Sequence, residues 1–183
     1  MTVNAPVSHN SNPFRKPWIR YAGTALVLVI MITIFLFSSQ QQEQSEGLSF
    51  PIGDALYDSG FFEFDLFNPI RETYEQDNAP FILFAQRLVR KLAHVFIFTV
   101  LAFFIRICLE SWFGGKKHLL LYSFLIGAVY AISDEVHQLM VPTRSGSIQD
   151  ILLDCGGVLI GVLIAAGIIR LVRKKHSGSH TAA

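Results

Sequence analysis

The sequence predicts an all-α membrane protein: a four-transmembrane-helix bundle with both termini cytoplasmic and a long extracytoplasmic loop between helices 1 and 2. Three observations carry that prediction. Half of the 183 residues are apolar (51%), and they are gathered in long runs instead of being spread at amphipathic spacing. Basic residues collect at alternate ends of those runs. The polar residues that interrupt the runs all fall at one level once successive helices are laid antiparallel.

A hydrocarbon core about 30 Å thick needs roughly 20 apolar residues in a helix rising about 1.5 Å per residue. Trp18 to Phe37 meets that requirement unaided. A cleavable signal peptide is the alternative for this run. However, about 17 apolar residues is long for such a segment, and Ser38-Ser39-Gln40 is not a small-residue cleavage site, so an uncleaved anchor is expected. Three later runs, Leu92 to Ile105, Leu119 to Ile132 and Cys155 to Ile169, reach spanning length by drawing polar residues into one end. Helices are therefore expected at about 18–37, 90–109, 118–136 and 148–170.

Orientation follows from the cations. Arg15, Lys16 and Arg20 precede the first run, Arg106, Lys116 and Lys117 lie between the second and third, and Arg170, Arg173, Lys174 and Lys175 follow the fourth. Ten of the 15 basic residues thus share a side, which the positive-inside rule makes cytoplasmic. The segment 38–89 and the short connection from Met140 to Gly146 then face out, with nine of the 14 acidic residues between Glu43 and Asp77. Arg87, Arg90 and Lys91 run against the rule and call for a reason. The net charge of +1 gives no ground for a nucleic-acid partner.

The 38–89 segment is too long for a bare connection. Its phenylalanines at 50, 61, 62, 64, 67, 81 and 84 are interleaved with carboxylates, and it is expected to lie on the outer membrane interface, packing over the top of the bundle. Asp77 or Asn78 could cap a helix with Pro80 in its first turn, and the apolar spacing runs from Phe81 into the second span without a breaker. Residues 1–17 and 173–183 are expected as cytoplasmic tails around a membrane domain of 18–172. Cys108 and Cys155 fall at opposite ends of their helices, too far apart to bridge within one chain.

On this topology Arg90, Lys91 and His94 open the second span, Asp134, Glu135, His137 and Gln138 close the third, and Arg144, Asp150 and Asp154 open the fourth. Residues three or four apart share a face, so Arg90 joins His94, Asp134 joins His137 and Gln138, and Asp150 joins Asp154. A charge in hydrocarbon costs a few kcal/mol even on lenient scales, so these groups should face one another or a wet cavity. Residue by residue, plainer roles exist. Ser147-Ile-Gln-Asp150 matches a capping box, Arg90 and Lys91 could snorkel, and Gly157 with Gly161 forms a GxxxG suited to close helix packing. Taken together, the set is richer than cohesion needs, since Ser, Thr and Asn would hold a bundle at less cost. His94 and His137 lie near the carboxylates, yet no HExxH or comparable ligand spacing occurs, so no metal and no cofactor is expected.

The ordered set Arg90-Lys-Leu-Ala-His94, Asp134-Glu-Val-His-Gln138, Pro142-Thr-Arg144, Asp150, Gly157 and Gly161, with Phe37-Ser-Ser-Gln40 after the first span, resembles the VanZ-like family. These small membrane proteins are named for a member linked to teicoplanin resistance. The resemblance covers most of residues 20–172 and carries the family's motif positions onto Lys91, His94, Asp134, Glu135, Gln138, Arg144, Asp150 and Gly157. Two positions depart from it: Asp154 stands where relatives commonly have Asn, and Phe98 where an aromatic hydroxyl is usual. The resemblance implies a cell-envelope role in the cytoplasmic membrane of a bacterium, Gram-positive by expectation.

Four functions fit these residues. A binding protein would meet the phosphate of a membrane lipid or lipid-linked wall precursor, or an amphiphilic glycopeptide, with Arg90, Lys91 and Arg144, while the carboxylates orient the cations. An enzyme acting on a lipid head group would use His94 as base or nucleophile, with Asp134 or Glu135 tuning it, although no nucleophile or phosphatase motif is present. A structural partner in an envelope complex would present helix 1 and the glycine face. A carrier would need a homo-oligomer, because four helices leave little room for a lumen.

Overall fold

The computed structural model describes residues 13–39, 42–76, 80–142 and 146–179. Six α-helices follow one another: α1 (Pro17–Ser38), α2 (Gln42–Asp58), α3 (Asn68–Gln76), α4 (Ile82–Phe113), α5 (Leu119–Leu139) and α6 (Ile148–Ser179). Short 3-10 turns at Pro13–Arg15, Phe61–Glu63 and Asp65–Phe67 complete the described structure, which contains no strand among the described residues. Four helices, α1, α4, α5 and α6, are long and apolar enough to cross a membrane.

The spanning helices pack around one apolar core. Phe98, Leu101, Ala102 and Ile105 of α4 meet Val158 and Val162 of α6, Ala131 of α5, and Ile30 and Ile34 of α1. Their outward residues are apolar too: Ile32 and Leu36 on α1, Leu125 and Val129 on α5, and Leu163 on α6 are all exposed. A helix that is apolar all round belongs in lipid, where the inner face packs and the outer face meets acyl chains. The most extensive helix contact is α4 with α6. It is made intimate by Gly157 and Gly161, where a Cβ would press on the carbonyl oxygens of Val95 and Thr99 respectively.

The ends of the helices fix their directions. Arg20, early in α1, donates to the Ser111 carbonyl late in α4 at 3.0 Å, so these two run antiparallel. Ser39 and His137, at the ends of α1 and α5, lie 3.0 Å apart, so those run parallel. Arg173, late in α6, pairs with Glu110, late in α4, so α1 starts and α6 ends at the same end of the bundle.

Two helices are longer than expected. The second span, expected at about 90–109 with apolar spacing leading in from Phe81, is one 32-residue helix about 48 Å long, well beyond the bilayer core. Arg106 lies inside it, 8% exposed, and donates to Glu110 Oε2 at 3.0 Å. Helix α6 continues past residue 170, through most of the expected tail, to Ser179.

The segment between α1 and α4 is mostly helical instead of a loop. Buried Phe62, Phe81 and Ala85 form a second, smaller core with Leu56, Phe67, Ile70, Tyr74, Phe84 and Leu88 around them. Edge-to-face ring pairs such as Phe62 with Phe84 at 5.8 Å hold it. Gln86 of α4 donates to Asp54 of α2 at 2.7 Å and pins this subdomain to the projecting first turns of α4. The caps expected from Asp77 or Asn78, and Gln40, lie outside the described residues.

Candidate functional site

The described charged residues picked out of the apolar runs come from three stretches of backbone meeting at one end of the bundle: the third turn of α4, the last turns of α5 and the first two turns of α6. Lys91 of α4 forms an ion pair with Asp150 of α6. Both side chains keep part of their surface, 41% and 33% respectively, so the pair sits at the rim. Arg90 and His94 are half-buried on the same helix, one turn apart.

Beneath that rim the residues are acidic and buried. Asp134, Glu135 and Asp154 are 4%, 4% and 3% exposed. Asp134 accepts from Gln138 Nε2 at 2.9 Å, one turn further along α5. Glu135 reaches across the connection to α6 and accepts from the Ser147 backbone N–H at 2.5 Å. Asp154 lies one turn below Asp150, within Coulombic reach of Asp134, Glu135, Asp150 and Lys91.

The capping box expected at Ser147 is half formed. The Ser147 hydroxyl accepts from Gln149 N at 3.1 Å, as an N-cap should. Its own N–H goes to Glu135, while the Asp150 carboxylate turns to Lys91. An ionised partner makes the stronger hydrogen bond, so the lysine takes the carboxylate that would otherwise have closed the box. His137 also leaves the layer: it stacks on Phe35 at 4.4 Å and meets Ser39, joining α5 to α1. Arg144 lies outside the described residues.

Below the layer, the Thr99 bridge was not legible in the sequence, and Phe98 stood out only as a departure from the family pattern. The Thr99 hydroxyl donates between Val95 O at 2.8 Å and Gly157 O at 3.0 Å, crossing from α4 to α6 where the glycine removes the side chain that would bar it. Phe98 is fully buried with its ring 6.1 Å from that of Tyr130, whose hydroxyl donates to Met31 O at 2.6 Å. At the far end, Glu110 is 1% exposed and takes both Arg106 of its own helix and Arg173 of α6. The four-residue spacing of Arg106 and Glu110 was the available signal for this second cluster.

A profile of the family described as VanZ/LLP1 matches residues 24–171. The chain belongs to the VanZ/LLP1 family. That match spans all four membrane-crossing helices together with the segment between α1 and α4. This VanZ/LLP1 protein is accordingly a multi-pass membrane protein. No curated protein and no solved structure matches the chain.

The chemistry open to the VanZ/LLP1 layer follows from its make-up. Cations at the rim can move between a resident carboxylate and an incoming anion, and buried carboxylates can orient them or take a cation. Among the described residues no three His, Cys, Asp or Glu side chains are grouped so as to hold a metal ion. Gly157 and Gly161 lie below the layer, where they set the spacing of α4 and α6.

Proposed function

We propose that this protein works in the bacterial cytoplasmic membrane as an envelope protein. In this reading it binds an anionic or amphiphilic ligand at the outer leaflet: a lipid head group, a lipid-linked wall precursor or a teicoplanin-type glycopeptide. The binding set is Arg90, Lys91, His94, Asp134, Glu135, Gln138, Arg144, Asp150 and Asp154. The observation that carries the reading is the partly exposed Lys91–Asp150 pair standing over three buried carboxylates at one end of a bundle made for lipid. A layer serving cohesion alone would be closed, and its charges are among the costliest groups to hold at membrane depth.

The distribution of ten basic residues toward the opposite end supports an outward-facing layer. The aromatic subdomain beside α4 would then lie on the outer leaflet, with exposed Phe61, Phe64 and Leu66 toward the acyl necks of neighbouring lipids.

The test is teicoplanin susceptibility of a sensitive Gram-positive host expressing wild type, Asp134→Ala or Arg144→Ala, with membrane levels matched. Protection by wild type that disappears in both well-expressed variants is the expected result. Equal protection by all three would overturn the assignment of the layer, and no protection by wild type would remove the glycopeptide from the list.

A further inference from the structure

Resting on the reading of the layer as a ligand site, we infer that its ligand carries a primary ammonium beside its anion: an amine-bearing phospholipid head group, held with the phosphate at Lys91 and the ammonium at Asp154.

The argument starts from depth. Asp150 and Asp154 are one turn apart on α6, so the second carboxylate lies about 6 Å below the first along the helix axis. The upper one is partly exposed and paired with Lys91. The lower one is 3% exposed and makes no hydrogen bond or ion pair with any described residue. Of the two other deep carboxylates, Asp134 accepts from the Gln138 amide and Glu135 from the Ser147 backbone N–H. Buried carboxylates are ordinarily paired, and a lone charge at this depth is costly.

Sign comes next. An anion alone would satisfy the rim and leave Asp154 as it is, and a purely anionic ligand seated deeper would meet three carboxylates. A cation reaching past the rim meets the buried Asp154, with Asp150 one turn above it on the same helix. A compact ammonium suits that depth better than a metal ion, since among the described residues no acidic side chains are grouped as metal ligands. An ammonium donates three hydrogen bonds and tolerates carboxylates arriving from two helices.

The two charges of the ligand then follow the two levels of the site. Lys91, with 41% of its side chain exposed, can turn from Asp150 to a phosphate without leaving the rim. Asp150, released, faces the ammonium from above as Asp154 does from below. The exchange trades one ion pair for two and is neutral in total charge.

The experiment is native mass spectrometry of the full chain in detergent, titrated with phosphatidylethanolamine, N-acetyl-phosphatidylethanolamine and phosphatidylglycerol of matched acyl chains. The second keeps the anion and removes the cation, and the third never had one. Wild type is expected to retain phosphatidylethanolamine at least tenfold more strongly than either of the others. Asp154→Asn should bring phosphatidylethanolamine down to the level of phosphatidylglycerol, with the melting temperature of the variant recorded beside it, and Lys91→Ala should weaken all three lipids.

Equal retention of the three by wild type, lost together in Lys91→Ala, would overturn the ammonium and leave the anion-binding layer standing. Retention of none, or retention indifferent to Lys91, would overturn the layer as a lipid site altogether. A tenfold preference that survives in a folded Asp154→Asn would move the cation away from Asp154 and refute the assignment.

Discussion

Substituting Gly161 by alanine places a methyl group against backbone, where nothing soft can yield. The new Cβ would overlap the Thr99 carbonyl oxygen and stand 3.0 Å from both the Thr99 carbonyl carbon and the Phe103 nitrogen. Ordinary carbon contacts need about 3.5 Å or more, so α4 and α6 must separate locally by roughly 1 Å. A gap of that size forfeits about a quarter to a half of the dispersion energy of each contact it opens. It opens them along the most extensive helix pair in the molecule, between Phe98, Leu101 and Ala102 on one side and Val158 and Val162 on the other. Overpacking of this kind costs about 1–3 kcal/mol, and here the upper half of the range applies, or roughly 5–10 °C in Tm for a chain of this size.

The matched control is Gly156→Ala. Gly156 is on the same helix, and a Cβ there has nothing within 4 Å; alanine should be neutral or slightly stabilising through helix propensity. Purified variants would be compared by thermal unfolding in one detergent, read by size-exclusion recovery. Equal melting temperatures for Gly161→Ala and Gly156→Ala would refute the claim that the α4–α6 contact depends on this close approach.

Glu110→Gln should destabilise by about 3 kcal/mol, because two guanidiniums lose their shared carboxylate, one of them 8% exposed; a double variant with Arg106→Gln should lose less than the sum of the singles, and strict additivity in thermal melts would contradict the network. Lys91→Ala should move Tm little, since a partly exposed ion pair contributes under about 1 kcal/mol, so a large loss of stability would show that its role is structural. Phe62→Ala should cost about 3–5 kcal/mol within the aromatic subdomain; limited proteolysis should then cut between Gln42 and Gln76 faster while the Tm of the bundle holds, and a common shift of both would mean that the two cores unfold as one.

The four spans were legible because lipid imposes a strong demand on composition over about 20 residues. Their ends were not. Hydropathy falls at Arg106, yet the helix carries on to Phe113, because an internal carboxylate four residues away neutralises that cation and backbone hydrogen bonding continues regardless. Helices α2 and α3 were missed for a different reason: α2 contains Pro51, α3 is short and polar, and packing of Phe62, Phe67 and Tyr74 against α4 stabilises them more than local propensity does.

Within the site, spacing along one helix predicted well where partners share that helix, as Asp134 and Gln138 do. It said nothing of which helix answers which. The choice of Asp150 by Lys91, and of the Ser147 N–H by Glu135, depends on how three helices meet, and His137 turns to α1 because it sits on the flank of α5 that faces Phe35.

The Arg106–Glu110–Arg173 cluster has a consequence for how the protein is made. Helix α4 enters the membrane before α6 has been translated, and an isolated carboxylate near the hydrocarbon would hinder that entry by a few kcal/mol. Arg106, one turn away on the same helix, lets Glu110 travel as half of a neutral couple. When α6 arrives, Arg173 takes the other carboxylate oxygen, Oε1, while Arg106 keeps Oε2. Glu110 therefore joins an intrahelical cation to an interhelical one, and the second ties the last helix to α4 in a fixed register.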